Sequence, residues 1–228
     1  MKQALALARI ELLELARSRS LRGAVLLAWL LAAVAAGLGT RAALARRHEH
    51  AQASHTMRVQ WLEQGEKNPH AAAHFGSWAF RSTPALAALD DGVDPFLGRG
   101  VWLEAHKQND FVFADAREDV LPPLLLRATP AAVLAVVLPL IALVLGHAAF
   151  ARDTERGTRP LLLALGPSAW TIGLGKALGA GAALAVVLGP VVLLSVIPVL
   201  LAGPTGAAWA RFAGFWAAWV ILFATLLL

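Results

Sequence analysis

The chain has 228 residues, of which 58% are hydrophobic and only 15% charged, with a formal net charge of +5 and no cysteine. A soluble domain carries roughly 25% charged residues, and a chain with a mean hydropathy of +0.61 cannot cover its apolar surface with so few charges, so lipid must cover part of it. The lack of cysteine excludes disulfides and thiolate metal or redox sites, and the positive balance is the excess that membrane proteins keep in short cytoplasmic loops, not a sign of nucleic-acid binding.

Residues 1–20 read as a helix ahead of the membrane. Leu5, Ala8, Leu12 and Leu15 recur at helical spacing, with Lys2, Arg9, Glu11, Glu14 and Arg17 elsewhere on the wheel, so a helix lying among lipid headgroups is expected. Gly23 to Thr40 is uncharged and rich in Ala, Leu and Val; with Leu21 and the stem of Arg22 it makes a first span over 21–40. A signal peptide is excluded by the long preceding segment with Glu11 and Glu14 in it, so the run is an uncleaved anchor.

Residues 41–127 form a polar insert, which holds 11 of the 15 acidic residues and six of the seven histidines and so belongs in water. Its first part, to about Glu66, reads as a helix continuing the first span, ended by Asn68-Pro69. Beyond it Trp78, Phe80, Phe96, Trp102, Phe111 and Phe113 supply a small core. His70 and His74 stand four residues apart on what could be one helix face; no third ligand has fitting spacing, so no metal site is expected. Asp90, Asp91 and Asp94 beside Gly92 and Pro95 read as an Asp-rich turn, not a calcium loop.

The second span covers 128–150, with Pro130 in its first turn and a kink expected at Pro139. A charged run from Arg152 to Arg159 leads to a short apolar segment closed by Gly166-Pro167, and Ser168 can cap the helix that follows. The third span covers 171–201. Gly173, Gly175, Gly179, Gly181 and Ala183 let another helix come close, and Gly189-Pro190 and Pro198 predict irregular backbone. After a turn at Gly203-Pro204-Thr205-Gly206, the fourth span covers 207–228.

Short-loop charge sets the orientation. Lys2, Arg9, Arg17, Arg19 and Arg22 precede the first span, and Arg152, Arg156, Arg159 and Lys176 lie between the second and third. The N-terminus and residues 151–170 are therefore expected in the cytoplasm and residues 41–127 outside it. The fourth span runs into Ala-Thr-Leu-Leu-Leu with no polar flank, so the chain is expected to be the N-terminal part of a longer protein. The fold class is an all-α polytopic membrane protein with about four spans and a mainly helical extracytoplasmic insert.

No Gly-x-Ser-x-Gly, His-Glu-x-x-His or Walker lysine motif is present, and His147, Lys176 and Arg211 are almost the only ionisable groups in or near the spans, which argues against an intramembrane enzyme.

The run Phe150-Ala-Arg-Asp-Thr-Glu-Arg-Gly-Thr-Arg159, then Leu161 to Ser168, then Gly175-Lys176 resembles the loop between the second and third spans of ABC-2 type transporter permeases of bacteria. There an acidic-Arg-acidic-x-Gly-Thr run precedes a short leucine-rich helix and a Gly-Lys entering the third span. Asn68-Pro-His-x-Ala-x-His74, Leu89-Asp-x-Gly-Val93 and Val101 to His106 are similar to the large extracytoplasmic insert of one subfamily. Thr154 and Arg159-Pro160 depart from the pattern; Pro160 fits if Thr158 caps the short helix and Pro160 lies in its first turn.

The resemblance covers residues 20 to 228. It implies about six spans in a complete member and a location in the bacterial inner membrane. It implies a permease, exporting with ATP hydrolysed by a separate ATP-binding subunit, a second permease subunit as homo- or heterodimer, and no cofactor. It assigns Asp153, Glu155, Arg156, Gly157, Thr158, Leu161, Leu162, Gly166 and Lys176 to coupling with the ATPase. It gives the insert no settled function, and His70, His74 and His106 are the insert's own candidate ligand residues. The competing reading is a membrane-anchored binding or sensor module working through the insert.

Overall fold

A computed structural model describes residues 1–114 and 129–227. The end of the expected insert, residues 115–127, the first residue of the second expected span and Leu228 lie outside the described residues. The helices are α1 (Lys2–Arg17), α2 (Arg19–Glu63), α3 (Pro69–Ala73), α4 (Pro130–Phe150), α5 (Arg152–Glu155), α6 (Arg159–Ala164), α7 (Ala169–Leu201) and α8 (Gly206–Leu227). The strands are β1 (Ser77–Phe80) and β2 (Gly100–Leu103). Four of these helices, α2, α4, α7 and α8, are long and apolar enough to cross a membrane.

The chain divides into two compact units. One comprises residues 1–35, 133–197 and 205–228. Ser18 leaves the helical conformation and separates α1 from α2, with its hydroxyl accepting the Leu21 N–H at 3.3 Å. The core of this unit is drawn from five helices, α1 contributing Leu15. Ala28 and Ala32 of α2, Leu134, Leu138, Ala142 and Leu145 of α4, Ala180, Leu184 and Val187 of α7, and Trp216 and Phe223 of α8 are buried together. Leu26, Leu30, Val34, Val136, Leu140, Leu193, Ile197 and Ile221 stay exposed on the same helices, as expected where lipid is the solvent.

Polar side chains inside this unit bond to helix backbone or to one another. The Trp29 indole donates to the Val187 carbonyl at 2.9 Å. The Trp216 indole donates to Ser195 at 3.0 Å, and the Ser195 hydroxyl donates to the Val192 carbonyl at 2.6 Å. Such links tie α2 and α8 to α7 where unsatisfied groups would be costly.

One expectation from proline is corrected here. α7 is an unbroken helix from Ala169 to Leu201 through Gly189-Pro190 and Pro198, where the sequence predicts irregular backbone; α4 holds Pro139 inside a single helix. A proline deletes one helical hydrogen bond, but in an apolar surrounding every further break would leave more backbone groups unsatisfied, so the helix persists.

The other unit comprises residues 36–132 and 198–204. α2 ends at Glu63, with Gly65 at φ +73, and not at Asn68-Pro69. Asn68 instead opens α3: its side chain accepts the Ala71 N–H at 2.8 Å and Pro69 takes the first turn, the normal use of Asn as an N-cap with proline behind it. The insert also contains a small antiparallel sheet, β1 against β2, with Trp78 opposite Trp102. Trp78 packs on Trp102 and Phe113 at ring separations of 5.5 and 5.4 Å. Gly76, at φ +68, lies where any Cβ would strike the Trp102 ring.

The acidic turn is consumed by arginines. Asp91 pairs with Arg46 at 2.7 Å, Asp94 with Arg81 at 2.6 Å, and Asp90 accepts the Gly92 N–H at 2.8 Å. It is a structural fastening.

Candidate functional site: a buried ionic node beneath a short exposed helix

The charged run folds into two short helices. α5 is a single turn, closed by Gly157 at φ +66, a conformation that glycine adopts without strain. α6 follows with Pro160 in its first turn, and Gly166 at φ +97 ends it before α7. Ser168 caps α7 by accepting the Thr171 N–H at 3.2 Å.

Thr158 stands at the N-cap position of α6 but makes no side-chain cap. Its hydroxyl turns back to the Asp153 carboxylate at 2.8 Å, while its backbone N–H donates to the Asp153 carbonyl at 2.9 Å. The expected capping role is thus replaced: Thr158 closes the α5 turn and aims Asp153 inward.

What Asp153 meets there is Lys176. The Lys176 ammonium lies 2.6 Å from Asp153 Oδ2, 3.2 Å from Glu11 Oε2 and 2.6 Å from the Ala149 carbonyl of α4. Lysine at 9% exposure is rare without partners, and here three acceptors answer its three donors. Beside this group Arg152 pairs with Glu14 of α1 at 3.0 Å.

The node therefore joins α1, α4, the α5 turn and α7. It holds three carboxylates and two cations. Burial pushes the Glu11 carboxyl above its usual range, and the Lys176 charge and hydrogen bond only partly offset it. Glu11 Oε1 is buried without a partner, which is the local reason that its charged form is disfavoured. Burial also acts to raise Asp153, but hydrogen bonds from Lys176 and Thr158, with the Lys176 charge, outweigh it and leave its carboxyl below the usual range.

Glu11 reaches Lys176 because α1 lies very close to α7. A Cβ on Gly175 would stand 2.6 Å from Leu7 Cβ and 2.9 Å from the Ala4 carbonyl oxygen; one on Gly179 would stand 2.7 Å from Glu11 Cβ and 2.9 Å from the Ala8 oxygen. The buried residues of α1 are Ala4, Glu11 and Leu15; of the expected apolar stripe, Ala8 and Leu12 are half-buried and Leu5 is 56% exposed.

The remaining residues of the expected coupling segment sort by position. Asp153, Thr158 and Lys176 lie inside the node. Glu155, Arg156, Gly157 and Gly166 are exposed, and Glu155 approaches His147 at 3.6 Å. Leu161 is exposed, whereas Leu162 is half-buried and faces a cavity of about 230 Å³ that Phe150, Leu163, Ile172 and Lys176 also line. Leu165 and Trp170, at 77% and 79% exposure, extend the outer apolar surface, and the sequence reading did not single them out. It also missed Glu11; the signal available was an unanswered lysine in an apolar helix, which requires a carboxylate.

The insert histidines do come together. The His70 and His74 rings lie 4.7 Å apart and His74 and His106 5.3 Å, with His106 held at φ 64. All three are exposed, and among the described residues no group of three or more His, Cys, Asp or Glu has the arrangement to hold a metal ion.

Four spans, a glycine-paced helix contact and a charged turn leading to a short exposed helix are thus one continuous unit. Residues 5–228 match the family described as ABC-2 family transporter protein. The chain belongs to the ABC-2 transporter family. It is an all-α, multi-pass membrane protein of that family, a transport component. No curated protein and no solved structure gives a match.

Proposed function

We propose that this ABC-2 protein is the transmembrane permease subunit of a bacterial inner-membrane exporter, driven by a separate ATP-binding subunit. The observation that carries this is α6. It is a short helix with Leu161, Leu165 and neighbouring Trp170 on its outside, fixed to α1 and to the membrane helices α4 and α7 by the Asp153–Lys176–Glu11 node. An exposed apolar helix on a rigid footing suits docking into a groove of a partner. Force on α6 passes through Asp153 to Lys176 and so to α1, α4 and α7. Glu155, Arg156 and Gly157 form the rim of this docking element, and Leu162 anchors it.

On this reading the N-terminus and residues 151–170 are cytoplasmic, residues 41–127 are extracytoplasmic, and two permease subunits form the pathway. The test is co-purification of the full-length protein from its native host in mild detergent. Wild-type protein brings down an ATP-binding subunit, and Leu161→Asp with Leu165→Asp lowers its recovery by about tenfold or more, since apolar anchors carry most of such interfaces. Lys176→Met retains the ATPase but uncouples its hydrolysis from transport. Absence of any ATPase with the wild type overturns the proposal and leaves the insert as the working part of a membrane-anchored binding module.

A further inference from the structure

A second feature lies at the start of the membrane unit. Leu12 and Ala16 of α1, Val25 and Trp29 of α2 and Val187 of α7 line a groove of about 520 Å³ in which Arg22 is the sole charged residue. That volume lies within the range of about 300–1,000 Å³ typical of small-molecule sites. Arg22 immediately precedes the uncharged run from Gly23 to Thr40, so it sits at the depth where the hydrocarbon begins.

The charges around it are unbalanced. Glu11 and Glu14 are the two acidic residues of the first 22, and they are engaged by Lys176 and Arg152. Arg17, Arg19 and Arg22 are exposed, and among the described residues none has an acidic partner. An apolar slot lined by the unanswered Arg22, with Arg19 and Arg17 three and five residues before it in the chain, is complementary to a chain with an anionic head. A partner helix would have to bring carboxylates to that depth to match it, whereas phosphates are already there.

We propose that this groove is a binding site for an anionic phospholipid, with one acyl chain along Leu12, Ala16, Val25 and Trp29 and its phosphate held by Arg22 with Arg17 and Arg19. The lipid fills the angle between α1 and α2 and so holds in place the helix that supplies Glu11 to the node.

The test uses the full-length protein, delipidated in detergent and offered equal amounts of phosphatidylglycerol and phosphatidylcholine, with bound lipid read by native mass spectrometry. Wild-type protein retains phosphatidylglycerol at least about tenfold over phosphatidylcholine, as several basic residues at a membrane surface provide. Arg17→Gln, Arg19→Gln, Arg22→Gln together bring that ratio to within about twofold. Ala16→Phe, which fills the groove from an exposed position, lowers retention of both lipids, and an unchanged thermal midpoint shows that the fold survives. Equal retention of the two lipids by wild type, or a preference that persists without the three arginines, overturns the site. So does an Ala16→Phe variant that sheds a bound protein and keeps its lipid.

Discussion

At the scale of single residues the decisive group is Lys176. Its ammonium pairs with Asp153 and Glu11 and donates to the Ala149 carbonyl, so Lys176→Met leaves two inward-facing carboxylates without the cation that bonds them both. Removing one partner from a buried ionic group costs about 3–5 kcal/mol, and the thermal midpoint in detergent falls accordingly; Lys176→Arg keeps the charge and recovers part of the loss. The two carboxylates have opposite acid responses. Glu11 is raised by burial, so its charged form costs stability above the ordinary glutamate range, and that cost is relieved as pH falls through its raised folded value. Asp153 is lowered, chiefly by Lys176 and Thr158 acting against burial, so its contribution is present above the ordinary aspartate range and is lost as pH falls through its depressed value. Stability measured from neutral pH downward rises and then falls. Glu11→Gln removes the rise, and Asp153→Asn removes the later fall while lowering stability at neutral pH. A profile identical in wild type and Glu11→Gln contradicts the assignment of the raised group.

At the scale of elements the contact of α1 with α7 governs whether the node can exist. Gly175 and Gly179 face Leu7 and Glu11 so closely that any side chain must push α1 away. Gly179→Val is therefore expected to release α1 from α7. Trypsin cleavage after Arg9 and Arg17 then speeds up by about tenfold or more, because local opening controls access to the backbone. Gly181→Val, where no atom lies within 4 Å of the added carbon, leaves the rate unchanged. The glycine pattern that makes this contact was legible in the sequence, as were the apolar runs of α2, α4, α7 and α8, because hydropathy over some twenty residues is a strong signal. Its partner was not legible. α1 mixes Leu, Ala and charges around its whole circumference, so periodicity grouped Leu5 with Ala8, Leu12 and Leu15 and left Glu11 elsewhere on the wheel, whereas the Lys176 charge and the close approach at Ala4 and Ala8 set the face that meets α7. The proline breaks in α7 failed for a related reason: soluble-protein punctuation rules weaken where lipid penalises an open backbone. In the insert, β1 and β2 are four residues each and rest on Gly76, Trp78 and Trp102 meeting across sequence distance, which no local pattern reveals.

At the scale of the whole molecule the open quantity is which side of the bilayer each polar segment occupies, and the absence of cysteine makes it directly measurable. The family and the four apolar helices establish a multi-pass protein; the sidedness rests on the arginines of the N-terminal segment and of the α5–α6 loop. Gln52 of α2 and Thr154 of α5 are both exposed, so each can be replaced by cysteine without disturbing a core, and neither substitution has to compete with a native thiol. In spheroplasts a membrane-impermeant maleimide is expected to label Gln52→Cys at once and Thr154→Cys only after lysis. The reverse pattern places α6 outside the cell, where no ATP is available to a docked partner, and removes the coupling role. Equal labelling of both before lysis breaks the count of one crossing between Gln52 and Thr154, the count on which an outward-facing insert and an inward-facing docking helix jointly depend.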